Sequence, residues 1–370
     1  MSSARKTSGA RNENKGGCMP NGQTIEDAII EQMRTADQKK RVVSGKRAAP
    51  STPKTFEVVR KQGWERLKET VPESDEQEVS KERIVENGQI RRLHNCREEV
   101  LKLLEALLRE FPNFREVTKE IIGSYRISMI GGSPLSLPVI NLQGPPGIGK
   151  TTYVRAVALA LGLPFHDLKI SQMMEKFEIA GMSKGWKGAR PGKIARIMLE
   201  EEPIEGQPVI LFDELCMAKD TAEHSVVHPL YTLFDRDSGE YFRDLCLDVP
   251  INTSHLLMFS TTNNVEVLRP ALRSRLSSFD IEAPGTDEMR SLAQNLYRQL
   301  LGNFNMTDYF PALLGHDVLK KVTDGSIREM KRNLQRAIVR AVAESGGQTR
   351  FTLKVGHLPD APSRKQPIGF

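Results

Sequence analysis

Residues that could hold a phosphate group stand together in the segment GPPGIGKTT, from Gly144 to Thr152. The segment fits the pattern G-x-x-x-x-G-K-[ST], and it lies between the apolar run LPVINLQ and the stretch YVRAVALALG. Glycines let the backbone curl so that its N–H groups point at phosphate oxygens, and the positive end of a following helix favours the same anion. The pattern therefore predicts a nucleotide-binding loop between a strand and a helix.

Two side chains of this loop have distinct expected roles. Lys150 is expected to reach the β and γ phosphates of ATP, and the hydroxyl of Thr151 is expected to ligate Mg²⁺. The other loop residues are expected to line the nucleotide site: they are Gly144, Pro145, Pro146, Gly147, Ile148, Gly149 and Thr152. ATP and Mg²⁺ are therefore the predicted cofactors.

Two further apolar runs end in polar residues that could complete a hydrolytic site. In VILFDEL, Asp213 is expected to hold Mg²⁺, and Glu214 is expected to orient and deprotonate the water that attacks the γ phosphate. In LLMFSTTNN, Asn263 is the preferred candidate for holding that water from the opposite side, and Asn264 is the less favoured one. A turn-forming asparagine pair is the alternative interpretation.

Composition narrows the classes of protein that need to be considered. The chain has 370 residues, of which 39% are hydrophobic, so it can bury cores in two folded units with appendages. Neither a membrane span nor a secretory signal is evident, so a cytoplasmic protein without membrane partners is expected. The four cysteines lack CxxC spacing, which favours buried thiols over zinc or disulfides. The net charge of +6 is too small and too dispersed to indicate nucleic-acid binding by itself.

Hydrophobic patterning divides the chain into segments. Strands alternate with helices over residues 136–284, which predicts an α/β nucleotide-binding domain with a doubly wound parallel sheet. Residues 56–135 are predicted to form a helical N-terminal arm, and residues 285–350 a small helical lid domain. Residues 1–55 are predicted to be a disordered basic tail, with room for a short helix at TIEDAIIEQMRTADQ, and residues 351–370 a C-terminal tail.

These motifs, in this order, resemble the AAA+ ATPases, and several further segments are similar to the ATPase module of the Lon family. GWKGARPGKIARIMLE resembles the Lon substrate loop, and the stretch from His228 to Asn263 resembles Lon's path through a β-hairpin to the first sensor strand. ALRSRLSSFDIEAP is similar to the arginine-finger segment, and VTDGSIREMKRNLQRAI to the second-sensor helix. The resemblance covers residues 138–344 and implies a P-loop core followed by a helical lid.

The resemblance also implies roles that the motifs alone do not give. Arg275 would be the finger that reaches the γ phosphate of a neighbouring subunit, with Arg273 as the competing candidate, and Arg328 would contact nucleotide from the lid. The implied assembly is a homo-oligomeric ring, most often a hexamer. Trp186, followed by Lys187, would lie in the pore loop that grips the substrate; the alternative is a tryptophan folded back onto its own domain.

The substrate class stays open at this level. An ATP-driven motor that remodels a protein is favoured by the Lon-like loop, whereas a nucleic-acid-associated loader or translocase is favoured by the basic tail and by Lys184, Lys187 and Arg190. A nucleotide-gated scaffold that binds ATP and rarely hydrolyses it is a third interpretation, and the intact Glu214 argues against it. About forty residues follow Arg328, too few for Lon's peptidase domain, so ATP hydrolysis without proteolysis is predicted.

Overall fold

A computed structural model describes residues 54–202, 205–218, 220, 225–346 and 349–359. The short helix expected in the N-terminal tail, most of that tail and the last eleven residues of the chain lie outside these ranges. Among the described helices, none has both the length and the apolar character that a bilayer crossing requires.

Nine strands form three sheets in the described chain. The strands are β1 (Thr55–Glu57), β2 (Ile90–Arg92), β3 (Val139–Gln143), β4 (Phe165–Lys169), β5 (Val209–Asp213), β6 (Phe242–Arg243), β7 (Pro250–Ile251), β8 (Leu257–Thr262) and β9 (Leu276–Asp280). The central sheet is entirely parallel, in the spatial order β4-β5-β8-β3-β9. Strands β1 with β2 and β6 with β7 form two small antiparallel pairs.

The helices lie on both faces of the central sheet and in a separate group after it. They are α1 (Lys61–Glu69), α2 (Asp75–Asn87), α3 (Glu98–Glu110), α4 (Arg115–Gly131), α5 (Lys150–Leu161), α6 (Phe177–Ala180), α7 (Lys193–Leu199), α8 (His228–Leu233), α9 (Arg236–Gly239), α10 (Pro270–Arg273), α11 (Thr286–Asn303), α12 (His316–Val322) and α13 (Ile327–Ala343). Short 3₁₀ turns join several of them.

The central strands are buried on both faces, which explains their continuous apolar runs. In β5, Val209 and Leu211 belong to one hydrophobic cluster and Ile210 and Phe212 to the other, and all four are fully buried. Successive side chains of a strand point to opposite faces, so unbroken apolar sequence is what a sheet covered on both sides requires. The predicted α/β class with a doubly wound parallel sheet is confirmed.

The segment predicted as one N-terminal arm is divided between the two faces of the sheet. Leu104 and Leu107 of α3 and Tyr125 of α4 are fully buried in the cluster that also contains α5. Trp64 of α1 and Ile84 of α2 belong instead to the cluster on the opposite face. An apolar stripe at helical spacing needs a surface to cover, and α3 and α4 find it on the sheet. The name N-terminal arm is therefore kept below for α1 and α2 alone.

The last three helices have a core of their own. The residues of α11, α12 and α13 that face inward form a third hydrophobic cluster, which includes Tyr297, Val318 and Leu334. This helical unit follows β9 directly in the chain.

The expectation that the cysteines are buried thiols is wrong for two of those described. Cys246 is buried, whereas Cys96 and Cys216 are half-buried. Cys18 lies outside the described residues. Cys216 follows the acids at the end of β5, where the chain leaves the core, so its position rather than its apolar character sets its exposure.

Candidate nucleotide site

The predicted phosphate loop connects β3 to α5 at the edge of the sheet where the parallel strands end. Gly149 precedes α5 with φ of 97°, a conformation that residues with a Cβ rarely adopt. A Cβ on Gly144 would lie 2.3 Å from the carbonyl oxygen of Ile281, so this position has no room for a side chain. The loop therefore delivers the free N–H groups of the first turn of α5 to the sheet edge.

The side chains of the loop differ in their exposure to solvent. Ile148 is buried in the core beneath the loop, so only its backbone is available to a nucleotide. Pro145, Pro146 and Thr152 are exposed, and Thr151 is half-exposed.

Lys150 is buried at the centre of the loop. Its ammonium donates hydrogen bonds to the carbonyl oxygens of Gly144 and Pro145, the latter at 3.1 Å, and to Oδ1 of Asn263 at 3.3 Å. Burial lowers the pKa of Lys150, although the nearby thiol of Cys216 and two carboxylates oppose this effect. The ammonium is thus held by neutral oxygens, which phosphate oxygens could replace.

Asp213 lies at the end of β5 and accepts three hydrogen bonds. The donors are Lys169 Nζ at 2.5 Å, Thr261 Oγ1 at 2.7 Å and Thr151 Oγ1 at 3.4 Å. Burial by itself would raise the pKa of Asp213, but the bonds from Lys169, Thr261 and Thr151 outweigh it and hold that pKa below its usual range. Asp213 is therefore a carboxylate that stays ionised in a partly buried place.

The oxygen atoms around Asp213 suit a hard divalent cation. The hydroxyl of Thr151 lies beside the carboxylate, and these are the two groups predicted to hold Mg²⁺. Mg²⁺ prefers carboxylate, hydroxyl, phosphate and water oxygens, and it usually takes only one or two ligands from the protein. The residues present therefore fit the ion, with Lys169 sharing the carboxylate.

Glu214 directly follows Asp213 but has a different environment. Its φ and ψ of 59° and 43° place it in the left-handed region, which is uncommon for a residue with a side chain. Its backbone N–H donates to Thr261 Oγ1 at 2.8 Å, so one threonine hydroxyl fixes both acids. The turn leaves Glu214 exposed while Asp213 is buried, which separates a metal-binding carboxylate from one that faces solvent.

The two asparagines after β8 also differ. Asn263 contacts Lys150 as described, and its backbone N–H lies 3.5 Å from the sulfur of Cys216. Asn264 turns away and accepts a hydrogen bond from the backbone N–H of Glu266 at 2.9 Å, which caps a short 3₁₀ turn. The structure thus brings Asn263 rather than Asn264 to the phosphate loop.

Three residues at this site were not singled out from the sequence: Lys169, Thr261 and Cys216. Each lies at or just after the carboxyl end of a strand of the central sheet. The sequence signal that could have identified them is this shared position, because such strand ends meet at one edge of a parallel sheet. The strand order that makes them neighbours of Asp213 and Asn263 is not visible in the sequence.

The candidate arginine fingers lie after β8, near the start of β9. Arg275 donates through Nε to the carbonyl oxygen of Tyr231 at 3.1 Å, and its guanidinium carbon is 5.6 Å from the centre of the Tyr231 ring. Arg273 forms an ion pair with Glu266. Within the described chain, the contacts of both arginines are to these neighbouring elements and not to the phosphate loop of the same subunit.

The first turn of α13 approaches the phosphate loop. A Cβ on Gly147 would lie 3.8 Å from Cβ of Ser326, which caps α13 by accepting from the backbone N–H of Glu329 at 3.3 Å. Arg328 lies in this first turn and is exposed, without a hydrogen bond or ion pair to the described part of the chain. Helix α13 therefore begins beside the phosphate loop, with the exposed Arg328 in its first turn.

Residues 182–191, here named the Trp186 loop, leave Trp186 with 72% of its surface exposed. Backbone bonds from Met182 N–H to Arg190 oxygen and from Ala189 N–H to Trp186 oxygen, both 3.0 Å, close the loop. The side chains of Lys187 and Arg190 are exposed as well. The alternative in which this tryptophan packs onto its own domain does not occur in this structure.

Comparisons with known proteins agree with this geometry. The family described as "ATPase family associated with various cellular activities (AAA)" matches residues 140–284. Lon protease of Flavobacterium johnsoniae is 28% identical over 229 residues, which is 61% of this chain and 28% of that protein. The mitochondrial Lon protease homolog of Homo sapiens is 28% identical over 235 residues, 62% of this chain and 24% of that protein. The chain thus spans about a quarter of the length of these relatives.

A solved structure supports the fold alone. The extended conformation of the Hsp104:casein complex from S. cerevisiae has a TM-score of 0.55 and 16% identity, over 66% of this chain and 48% of that chain. The residue roles at the nucleotide site stay predictions.

Proposed function

Because the chain contains an AAA ATPase domain similar to the ATPase module of Lon, we propose that it is an ATP-driven ring motor that remodels or translocates a protein substrate. The observation that carries the proposal is the convergence of Lys150, Asp213 and Asn263 at one sheet edge, with Glu214 exposed beside them. A site for triphosphate and a polarised water needs these groups together.

The proposed chemistry assigns one task to each side chain. The ammonium of Lys150 binds β- and γ-phosphate oxygens and neutralises the charge that develops on them. Asp213 and Thr151 hold Mg²⁺, which neutralises further charge when bound. Glu214 accepts the proton of the attacking water, and Asn263 orients that water by a hydrogen bond.

We propose that the arginine which completes the site, by binding the γ phosphate, comes from the neighbouring subunit. Arg275 lacks a contact to the phosphate loop of its own described chain, and its position on the short segment after α10 supports a role in trans. A guanidinium supplied in this way is worth roughly 10³–10⁵ in rate in other phosphoryl-transfer enzymes. Arg328, on the first turn of the lid, would contact the nucleotide of its own subunit. A ring, most simply a hexamer, provides such an interface at every site.

The exposed Trp186 supports a macromolecular substrate. The exposed tryptophan offers a large apolar face with one N–H donor, which suits contact with a polypeptide. A nucleic acid is the second candidate, because Lys187 and Arg190 are exposed on the same loop and could contact phosphates while Trp186 stacks on a base.

One set of assays separates these functions. ATP hydrolysis is measured with purified wild type, alone and with unfolded casein or a single-stranded oligonucleotide. Casein is expected to accelerate hydrolysis in the wild type but not in Trp186→Ala, whose basal rate should be close to normal. Acceleration by the oligonucleotide alone, falling steeply as salt rises, would favour the nucleic-acid function instead.

Variants of the nucleotide site test the ATPase assignment directly. Lys150→Ala should abolish binding of a fluorescent ATP analogue, whereas Glu214→Gln should bind it normally and lose turnover. If Glu214→Gln hydrolyses ATP at the wild-type rate, Glu214 is not the base.

Absence of proteolysis and a cytoplasmic location stay predictions. Incubation of the chain with labelled casein and ATP should release no acid-soluble peptides. Fractionation of cells that express the full-length protein tests its location.

A further inference from the structure

The Trp186 loop is fixed at its base by a buried carboxylate from another part of the chain. Asp244, which follows β6, has no exposed surface. Its Oδ2 accepts from the backbone N–H of Gly192 at 2.8 Å, and its Oδ1 accepts from Cys246 and Leu247, each at 2.9 Å. One side chain thus joins the end of the loop to the segment between β6 and β7.

The two ends of the loop meet at this carboxylate with no spare room. A Cβ on Gly181 would lie 2.6 Å from Oδ1 of Asp244, and a Cβ on Gly192 would lie 2.3 Å from the backbone nitrogen of Gly181. The backbone N–H of Leu245 donates to the carbonyl oxygen of Ala180 at 2.7 Å. Only glycine at both positions permits this close packing, so the loop leaves the domain from a rigid base.

The N-terminal arm contacts the loop near its tip. Gln77 of α2 donates through Nε2 to the carbonyl oxygen of Ala189 at 3.0 Å, and its Oε1 accepts from the backbone N–H of Glu73 at 3.0 Å. Glu73 in turn accepts through Oε2 from the backbone N–H of Gly185 at 3.2 Å. Gly185, directly before Trp186, is therefore bonded to Glu73 in the connection between α1 and α2, and Ala189, three residues after Trp186, is bonded to Gln77 of α2.

The arm is itself attached to the helix that follows the loop. Ser80 donates to a carboxylate oxygen of Glu200 at 2.6 Å, and Asn87 donates to the carbonyl oxygen of Leu199 at 2.8 Å. Trp64 and Ile84 anchor the arm in the hydrophobic cluster on this face. The arm is thus a fixed support on which the exposed tip of the loop rests.

We propose that the N-terminal arm and Asp244 hold the Trp186 loop in one position, which makes Glu73, Gln77 and Asp244 positioning residues for the grip of Trp186 on substrate. A loop ordered before binding does not lose conformational entropy when the substrate arrives. What the loop grips rests on the proposed function, whereas the bracing of the loop does not.

The two tryptophans of the chain permit a direct test that needs no substrate. Trp64→Phe leaves Trp186 as the only indole, so that its fluorescence reports on the loop, and the phenyl ring keeps an aromatic side chain in the buried anchor of the arm. Time-resolved anisotropy of this variant should show little nanosecond depolarisation beyond overall tumbling. Adding Gln77→Ala or Asp244→Asn should increase the amplitude of that fast component at least twofold.

Two control variants change residues that do not contact the Trp186 loop. Glu78→Gln is the control for Gln77→Ala, since Glu78 is an exposed residue of the same helix. Asp248→Asn is the control for Asp244→Asn, since Asp248 lies four residues away and its carboxylate pairs with Arg243. Both should leave the anisotropy decay of Trp186 unchanged. If Asp244→Asn does not fold, Gln77→Ala and Glu73→Ala, which remove the side chains that bond to Ala189 and Gly185, still test the bracing of the loop. An unchanged decay in Gln77→Ala overturns the proposal.

A second measurement connects the bracing to function. Gln77→Ala should keep the basal rate of ATP hydrolysis and raise the casein concentration that gives half-maximal stimulation several-fold. In a Trp186→Ala background the same change should have no further effect, because the arm acts through the loop. If Gln77→Ala mobilises Trp186 while casein fails to stimulate even the wild type, the bracing stands and the protein-substrate function falls.

Discussion

At the scale of single residues, Asp213 already has a cationic partner, Lys169, at the place where Mg²⁺ is expected to bind. Lys169 lies 2.5 Å from Oδ2 of Asp213 and 2.8 Å from a carboxylate oxygen of Asp167, so it bridges both acids. A bound Mg²⁺ would be repelled by this ammonium, whereas metal-free ATP would be attracted to it. We therefore expect Lys169 to weaken the dependence of ATP binding on Mg²⁺.

Replacing Lys169 with glutamine should strengthen that dependence. We expect the ratio of ATP affinities measured with Mg²⁺ and with EDTA to increase several-fold in Lys169→Gln at low ionic strength, by titration of a fluorescent ATP analogue. Lys176→Gln, which removes an exposed charge seven residues away, should leave the ratio unchanged. An equal ratio in Lys169→Gln and wild type contradicts this account.

Asp244 predicts a pH dependence of stability. Burial raises its pKa to about 6 despite three backbone N–H bonds, and the nearby carboxylate of Glu200 adds to the rise. The pKa of Asp244 is higher in the folded than in the unfolded protein, so the free energy of unfolding decreases as pH rises toward 6 and is lowest above it. As pH falls below 6, Asp244 is protonated in the folded protein and this stability is regained. Relative to Asp244→Asn, the wild type should gain about 1 kcal/mol in free energy of unfolding between pH 7 and pH 5. Urea unfolding of both proteins at the two pH values measures this gain.

Helix α13 matters at the scale of elements because it begins at Ser326, beside the phosphate loop, and carries Arg328 in its first turn. Ser326 and Glu329 form reciprocal hydrogen bonds that cap this turn. Ser326→Ala removes the side-chain acceptor, which typically costs about 1 kcal/mol of helix stability. We expect weaker ATP binding, several-fold by analogue titration, because the turn that presents Arg328 frays. Ser345→Ala at the other end of α13 is the control and should bind ATP normally.

The central sheet decides which polar residues become neighbours. Strand β5 lies between β4 and β8, so Asp213 receives Lys169 from one side and Thr261 from the other. The acids, the phosphate loop and Asn263 could be proposed from apolar runs that end in polar residues. Lys169 and Thr261 could not, because strand order depends on long-range pairing that a single sequence does not display.

The whole assembly, rather than one subunit, is the functional unit if Arg275 acts in trans. Arg275→Ala should bind ATP normally and lose hydrolysis by at least 10²-fold, and Glu214→Gln should be equally inactive. Mixing the two inactive proteins should restore part of the activity, since some interfaces then combine an intact Glu214 with an intact Arg275. Steady-state ATPase assays of the mixture measure this, with each variant alone as its control. If this mixture stays inactive while a mixture of Arg273→Ala with Glu214→Gln regains ATP hydrolysis, the finger is Arg273 instead.

The sequence by itself was enough to predict the nucleotide site, because phosphate binding needs glycines, a lysine and a hydroxyl at fixed spacing in one continuous segment. It also determined the α/β class, since strands buried on both faces leave unbroken apolar runs. Only the tertiary structure decided that Lys169 forms an ion pair with Asp213 and that the N-terminal arm contacts the Trp186 loop. Those contacts join residues more than forty positions apart in the chain, and their hydrogen bonds leave no periodic trace in the sequence.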